Sequence, residues 1–251
     1  MADVLLSAQK VSKRFGGIVA SDVIDLDVEA GTLHAIIGPN GAGKTTLVAQ
    51  LSGELRLDSG EISFAGRDMT RLAMHERAQA GLVRSFQITS VVPQLTACEN
   101  VALAVQAHDG HSFRCWKPAR SDASLRDPAL ACLNEVGLAA KADRLVGSLA
   151  HGEKRALEIA MVLATRPKML LLDEPMAGMG PEDSARLVAL LAKLKQRFTI
   201  LLIEHDMDAV FALADRITVL VYGRVMLTGS PGDVRTDPKV REAYLGEGAG
   251  S

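Results

Sequence analysis

The sequence predicts an α/β fold: a mostly parallel sheet with crossover helices, an antiparallel β part towards the N-terminus and an inserted all-helical segment. Three observations carry this. From Met169 onward apolar strands alternate with helical stretches, MLLL, TILLI and ITVLVY being the strands. MLLL and TILLI are apolar without interruption, as strands buried on both faces are. From Thr96 to Thr165 the periodicity is helical instead.

Taken in order, residues 4–37 hold three short β-rich runs, VLLSAQKV, VIDLDV and LHAII, parted by turn residues. The third ends at Gly38 and gives way to GAGKTTLVAQL, where Leu47, Val48 and Leu51 fall at helical spacing. Asp58, Ser59 and Gly60 mark a turn before the short strand EISFAG. Thr96 and Glu99 form a capping-box pattern opening a helix to about residue 107. The polar, basic stretch 108–122 reads as a loop, its Trp116 flanked by cations, and a second helix is expected over about 129–136. A third spans about 152–165, with Leu157, Ile159, Ala160 and Leu163 inward, and Arg166-Pro167 stops it. Strand MLLL, a helix from Pro181 to about 195, strand TILLI, a helix over 209–214 and strand ITVLVY follow. The expected organisation is one unit, with 1–87 and 166–251 forming the α/β core and its β part and 88–165 the helical insertion.

The 251 residues are 48% apolar and 23% charged, with a formal net charge of -2. That composition supports a packed core and lacks the basic excess of a nucleic-acid binder, so no nucleic acid partner is expected. No apolar run approaches the about 20 residues a spanning helix needs. Cys98, Cys115 and Cys132 show no CxxC pair, so neither a disulfide framework nor a zinc site is suggested, and a reducing compartment is the default. His108 and His111 around Asp109 lack companion ligands at a recognised metal spacing. MADVLLSAQK has no basic segment ahead of its apolar residues, so it does not read as a signal peptide, and the expected location is the cytosol.

Chemistry concentrates at two places. GPNGAGKT, Gly38 to Thr45, satisfies G-x-x-x-x-G-K-[ST] between a buried-looking strand and a helix. Gly38, Gly41 and Gly43 let the backbone curl around Asn40, so that successive N–H groups and the helix N-terminus face phosphate oxygens. Lys44 would bridge β- and γ-phosphates, the Thr45 hydroxyl is placed to ligate Mg²⁺, and Thr46 adds a second hydroxyl. The other place is MLLLDEP, an apolar strand delivering Asp173 and Glu174 at its C-terminal end, where open α/β sheets bind ligands. One carboxylate can serve a metal and the other a water.

With these motifs stand Phe15 in KRFGG, Gln87 in RSFQ, LAHGE from Leu149 to Glu153, EPMAGMG, and His205 in LLIEHDM. Their order over nearly the whole chain resembles the ATP-binding subunits of ABC transporters. The resemblance implies a P-loop, RecA-like core and an Mg²⁺-dependent ATPase with ATP and Mg²⁺ as ligands. Phe15 would stack on adenine, Gln87 would touch metal and water and link them to a membrane partner, Asp173 would hold Mg²⁺, Glu174 would be the general base and His205 would contact the γ-phosphate. Ala150 and Gly152 would approach the phosphate of a second ATP-binding subunit. Two transmembrane permease subunits, and indirectly a substrate-binding protein, are the implied partners, which places the chain at the inner face of the cell membrane.

More narrowly, GPNGAGKTTL, RSFQ, GEKRALEIAMVLA, LLLDEPMAGM and VREAYLGE resemble the subunits that drive importers of branched-chain and hydrophobic amino acids. Urea and short-amide importers and the lipopolysaccharide exporter share much of this wording. A soluble, non-transport ABC ATPase is the alternative of another class. The chain also departs from the family: Ala150 replaces the serine of the signature, and Gly180 stands where a carboxylate or amide is usual.

Overall fold

The computed structural model describes residues 3–85, 91–109 and 122–242. Its strands are β1 (Val4–Phe15), β2 (Ile18–Glu29), β3 (Leu33–Ile37), β4 (Ser59–Phe64), β5 (Arg67–Asp68), β6 (Leu82–Arg84), β7 (Met169–Asp173), β8 (Thr199–Ile203), β9 (Arg216–Val221) and β10 (Arg224–Gly229). The helices are α1 (Lys44–Ser52), α2 (Met74–Gln79), α3 (Ala97–Asp109), α4 (Ala123–Glu135), α5 (His151–Ala164), α6 (Pro181–Leu194), α7 (Met207–Leu213), α8 (Pro231–Thr236) and α9 (Pro238–Val240). The strands form two sheets, an antiparallel one ordered β2-β1-β4-β5 and a larger one ordered β10-β9-β3-β8-β7-β6. In the larger sheet β6, β7, β8, β3 and β9 run parallel and β10 is antiparallel.

β1 and β2 are longer than their apolar runs. Leu6, Ala8, Val11, Ile24, Leu26 and Val28 face the core, while the ends that pair across the Gly16 turn, where φ is 58°, are exposed, Phe15, Ile18 and Val19 among them. Backbone pairing, not burial, extends the hairpin, so the apolar pattern understates it. β3, β7 and β8 are buried at every residue, which their uninterrupted apolar sequence dictates. β6 and β10 lie at the two edges of that sheet and give weak alternation, which explains why neither shows in the sequence pattern.

The helical part follows its caps. Thr96 Oγ1 accepts the Glu99 N–H at 3.2 Å and Glu99 Oε2 accepts the Thr96 N–H at 2.7 Å, the expected box at the start of α3. α4 starts six positions ahead of the sequence expectation, because Asp122 accepts the Ser124 N–H at 3.0 Å and Pro128 is absorbed within the helix. α3, α4 and α5 pack around Val101, Val105, Leu125, Leu133 and Leu157. A second core lies between the sheets and α1, around Ile36, Leu47, Leu51, Ile62 and Leu201. At its edge Arg77 of α2 is 2% exposed and caps α1. Its Nη1 donates to the carbonyls of Gln50 at 2.8 Å and Leu51 at 2.7 Å, its Nε to Leu72 at 3.1 Å and its Nη2 to Thr70 at 3.2 Å.

Candidate functional site

β3, β7 and β8 end side by side, and their C-terminal ends deliver Gly38, Glu174 and His205. The loop from Gly38 to α1 is shaped by its glycines in two different ways. A Cβ on Gly38 would lie 2.1 Å from the Leu220 carbonyl oxygen, and one on Gly43 2.2 Å from that of Ala20, so neighbouring backbone excludes side chains there. Gly41 is open to space and serves through its φ of 78°. Gly43 opens α1 with no side-chain cap, Thr45 and Asn40 are exposed, and Thr46 is half-buried. The turn between β9 and β10 braces this loop, the Gly223 N–H donating to Ala42 O at 2.9 Å while Gly223 O accepts the Asp22 N–H at 2.8 Å.

Lys44 is 6% exposed and lies against the loop, its Nζ donating to Gly38 O at 2.7 Å and Pro39 O at 3.0 Å. Burial lowers its pKa below the ordinary lysine range, and the charges of Glu174 and Asp173 oppose that shift. Asp173 ends β7 fully buried. Oδ2 accepts from Arg84 Nη2 at 2.7 Å, and the same guanidinium also pairs with Glu54 through Nη1. Burial raises the Asp173 pKa and Arg84 resists the rise. Oδ1 of Asp173 is buried without a hydrogen-bond partner. An unpartnered carboxylate oxygen beside a lysine-bearing phosphate loop suits a hard divalent cation in its donor chemistry.

Glu174 has the left-handed φ of 47°, unusual for a residue with a side chain. Its N–H donates to Ile203 O at 2.8 Å, and Arg155 of α5 donates to the carbonyls of Glu174 through Nη2 at 3.1 Å and of Pro175 through Nε at 2.9 Å. Held this way, the Glu174 carboxylate meets His205, Nε2 to Oε1 at 2.6 Å, with both side chains partly exposed. The structure therefore gathers Lys44, Asp173, Glu174 and His205.

The remaining expected residues stand apart. Phe15 is half-exposed at the end of β1, with Lys13 Nζ 5.6 Å from its ring centre. Gln87 lies outside the described residues. Ala150 and Gly152 open α5 among residues of α6: a Cβ on Gly152 would come 2.7 Å from Asp183 Cγ. Ala150 has no oxygen to cap the helix, and its own N–H goes to Glu153 Oε2 at 3.1 Å. Sequence reasoning missed Arg84, Arg155 and the buried Glu204. Arg155 is inconspicuous on a charged helix surface, but Arg84 after the apolar Leu82-Val83 and Glu204 after TILLI interrupt buried runs, which is a readable signal.

Against known families, the model described as ABC transporter matches residues 21–177. The chain belongs to the ATP-binding cassette family of ABC transporters. It is thus an ATP-binding, ATP-hydrolysing cassette. A second model, described as branched-chain amino acid ATP-binding cassette transporter, matches residues 224–250 of the cassette. The cassette is 39% identical over 254 residues to the high-affinity branched-chain amino acid transport ATP-binding protein BraF of Pseudomonas aeruginosa, covering 98% of this chain and 100% of that one. It is 37% identical over 259 residues to the corresponding LivG protein of Escherichia coli, with the same coverage. Among solved structures it resembles the ADP conformation of an ABC transporter's ATP-binding cassette, with a TM-score of 0.85, 30% identity and 97% and 99% of the two chains covered. A nucleotide-free cassette of an ABC transporter gives 0.84 at 29% identity, covering 96% and 98%. Among the described residues no helix is long and apolar enough to cross a membrane.

Proposed function

We propose that the cassette hydrolyses ATP as one of a pair of ATP-binding subunits and so drives import of branched-chain or other hydrophobic amino acids. The observation that carries the catalytic part is the Glu174–His205 contact beside Lys44 at the ends of β7 and β8. In this reading the N–H groups of the Gly38–Thr45 loop and of α1 receive the phosphates, and Lys44 leaves the Gly38 and Pro39 carbonyls for β- and γ-phosphate oxygens. Glu174 takes a proton from the attacking water as the water oxygen bonds to the γ-phosphorus and the bond to the β-γ bridging oxygen breaks. His205 fixes Oε1 of Glu174 and stands next to the γ-phosphate. Thr45, Gln87 and Asp173 are the residues that would hold Mg²⁺, which when bound offsets the phosphate charge. Phe15 would carry the adenine, and Ala150 and Gly152 would face the ATP of the second subunit.

Two features support the transport role. The similarity to BraF and LivG runs over nearly the whole length of both chains. Between α2 and α5 lies an apolar groove of about 220 Å³, lined by Met74, His75, Ala78, Met161, Val162 and Thr165, suited to a short cytoplasmic helix of a permease. With two such permease subunits the cassette would sit at the inner face of the membrane and respond indirectly to a substrate-binding protein. The test is reconstitution in proteoliposomes with the two permeases and their binding protein. ATPase activity should rise when the binding protein carries a branched-chain amino acid. Activity indifferent to the partners would favour a soluble ATPase, and stimulation by an amide or a lipid in place of the amino acid would reassign the substrate.

A further inference from the structure

Glu204 is the last residue before His205 and is 3% exposed, yet nothing in the hydrolysis scheme above uses it. Its two carboxylate oxygens go to two backbone segments. Oε1 accepts the N–H of Met176 at 2.7 Å, and Oε2 accepts the N–H of His205 at 2.9 Å. An ionised carboxylate offers only acceptors, so two N–H donors, one on each oxygen, match its chemistry. Met176 lies two residues after Glu174, in the loop leading to α6, and His205 lies just beyond β8. One buried side chain therefore ties the loop after the catalytic carboxylate to the backbone of the histidine that contacts that carboxylate.

We infer that Glu204 is a positioning residue for hydrolysis, holding His205 in register with Glu174 by bridging the backbone at Met176 and His205. This rests on the roles given above to Glu174 and His205. The bridge closes a ring: Glu174 to Met176 along the chain, Met176 to Glu204 and Glu204 to His205 through hydrogen bonds, and His205 back to Glu174 at 2.6 Å. Arg155 grips the same segment through the Glu174 and Pro175 carbonyls, so the two peptide groups that follow the left-handed Glu174 are held by charged side chains, while the Glu174 N–H on its other side goes to Ile203 O. A displacement of the loop at Met176 must carry the His205 backbone with it, because a buried carboxylate has no water to replace a lost N–H partner. The Glu204 carboxylate meets the His205 backbone and the loop after Glu174 rather than the Gly38–Thr45 loop, so its loss should leave ATP binding in place and slow the chemical step.

The test is single-turnover hydrolysis of radiolabelled ATP by the intact chain carrying Glu204→Gln, which keeps the volume but turns an amide N–H₂ towards one of the two N–H groups. The expected rate loss is about tenfold or more, the effect of losing one hydrogen bond to a charged group, with the ATP concentration for half-maximal rate changed by less than about threefold. In a His205→Ala background the same substitution should add almost nothing, since both act through one imidazole. Losses that multiply would overturn the proposal, as would a Glu204→Gln rate equal to wild type. If His205→Ala itself keeps the wild-type rate, the role given to His205 fails instead, which is a separate result. Binding of a trinitrophenyl-ATP probe checks that each variant is folded. Should Glu204→Gln not fold, Glu204→Asp takes its place: one methylene shorter, it can keep one N–H bond and should lose rate at unchanged probe affinity. Failure of both to fold would mean that the carboxylate serves stability and would also overturn the proposal.

Discussion

His205 Nε2 lies 2.6 Å from Glu174 Oε1, although the two residues end different strands of the sheet. The contact joins the candidate base to the histidine beside it and leaves Oε2 of Glu174 without a hydrogen-bond partner among the described residues. Glu174→Gln should therefore bind ATP and lose nearly all turnover, accumulating as an ATP-bound dimer, because the amide cannot take the proton of water. Gel filtration with ATP and a multiple-turnover assay check this. Turnover near wild type would remove Glu174 from the role of base.

Lys44 is set for a different outcome. Its ammonium rests on two loop carbonyls under a burial that favours the neutral form. Phosphate oxygens bind the ammonium form, so nucleotide affinity should fall at alkaline pH, as the pKa lowered by burial is passed. Lys44→Ala should weaken ATP binding itself at all pH values, read by titration with fluorescent nucleotide.

Ala150→Ser should act twice. The N-cap backbone at residue 150 is extended, φ -64° and ψ 163°, and Glu153 already takes the residue's N–H, so a serine hydroxyl completes the capping box. Helix capping of this kind contributes about 1 kcal/mol, measurable by urea unfolding. In a Glu174→Gln background the added hydroxyl should also tighten the ATP-induced dimer by roughly tenfold. Added stability without a tighter dimer would show that the hydroxyl stays within its own helix.

Burial and the charge of Arg216 lower the pKa of His34 from 6.5 to about 4, and its Nε2 meets Thr218 Oγ1 at 2.7 Å in the sheet. The unfolded chain therefore takes up the proton first as pH falls. Stability present above pH 6.5 should be lost towards pH 4, by on the order of 3 kcal/mol from this group. Urea unfolding of His34→Gln should show a correspondingly smaller loss over that window, and an identical pH profile would assign the loss elsewhere.

Arg77→Ala removes four hydrogen bonds, two to buried carbonyls at the end of the helix that starts at the phosphate loop and two to the part-buried carbonyls of Thr70 and Leu72. A loss of about 3 kcal/mol or more is expected in urea unfolding, with Arg77→Lys recovering only part, because one ammonium cannot reach all four.

How much of this was legible in the sequence depended on whether a residue's neighbours were local. The phosphate loop, Asp173, Glu174 and His205 were readable because each follows an uninterrupted apolar strand, and a parallel sheet places such ends together. The roles of Arg84, Arg155 and Glu204 were not, since each is defined by atoms far along the chain: 89 residues separate Arg84 from Asp173 and 28 separate Glu204 from Met176. The start of α4 was misplaced because its first turns are polar and adjoin the stretch read as a loop, while the Asp122 cap already opens the helix there. β10 escaped because an edge strand, half wet, leaves a weak pattern.

The turn at Gly223 has a consequence for the order in which the site can come into being. It holds Ala42 and Asp22 at once, and the preceding strand supplies the Leu220 carbonyl against which Gly38 is fitted. The phosphate loop, Gly38 to Thr45, is thus walled by β9 and the turn after it, which follow it far along the sequence. A chain still emerging from the ribosome, stopped short of residue 223, has the phosphate-binding sequence without the surroundings that shape it. On such a chain the loop lacks the Gly223 contact with Ala42, so its shape is complete only once β9 and the turn after it have been made.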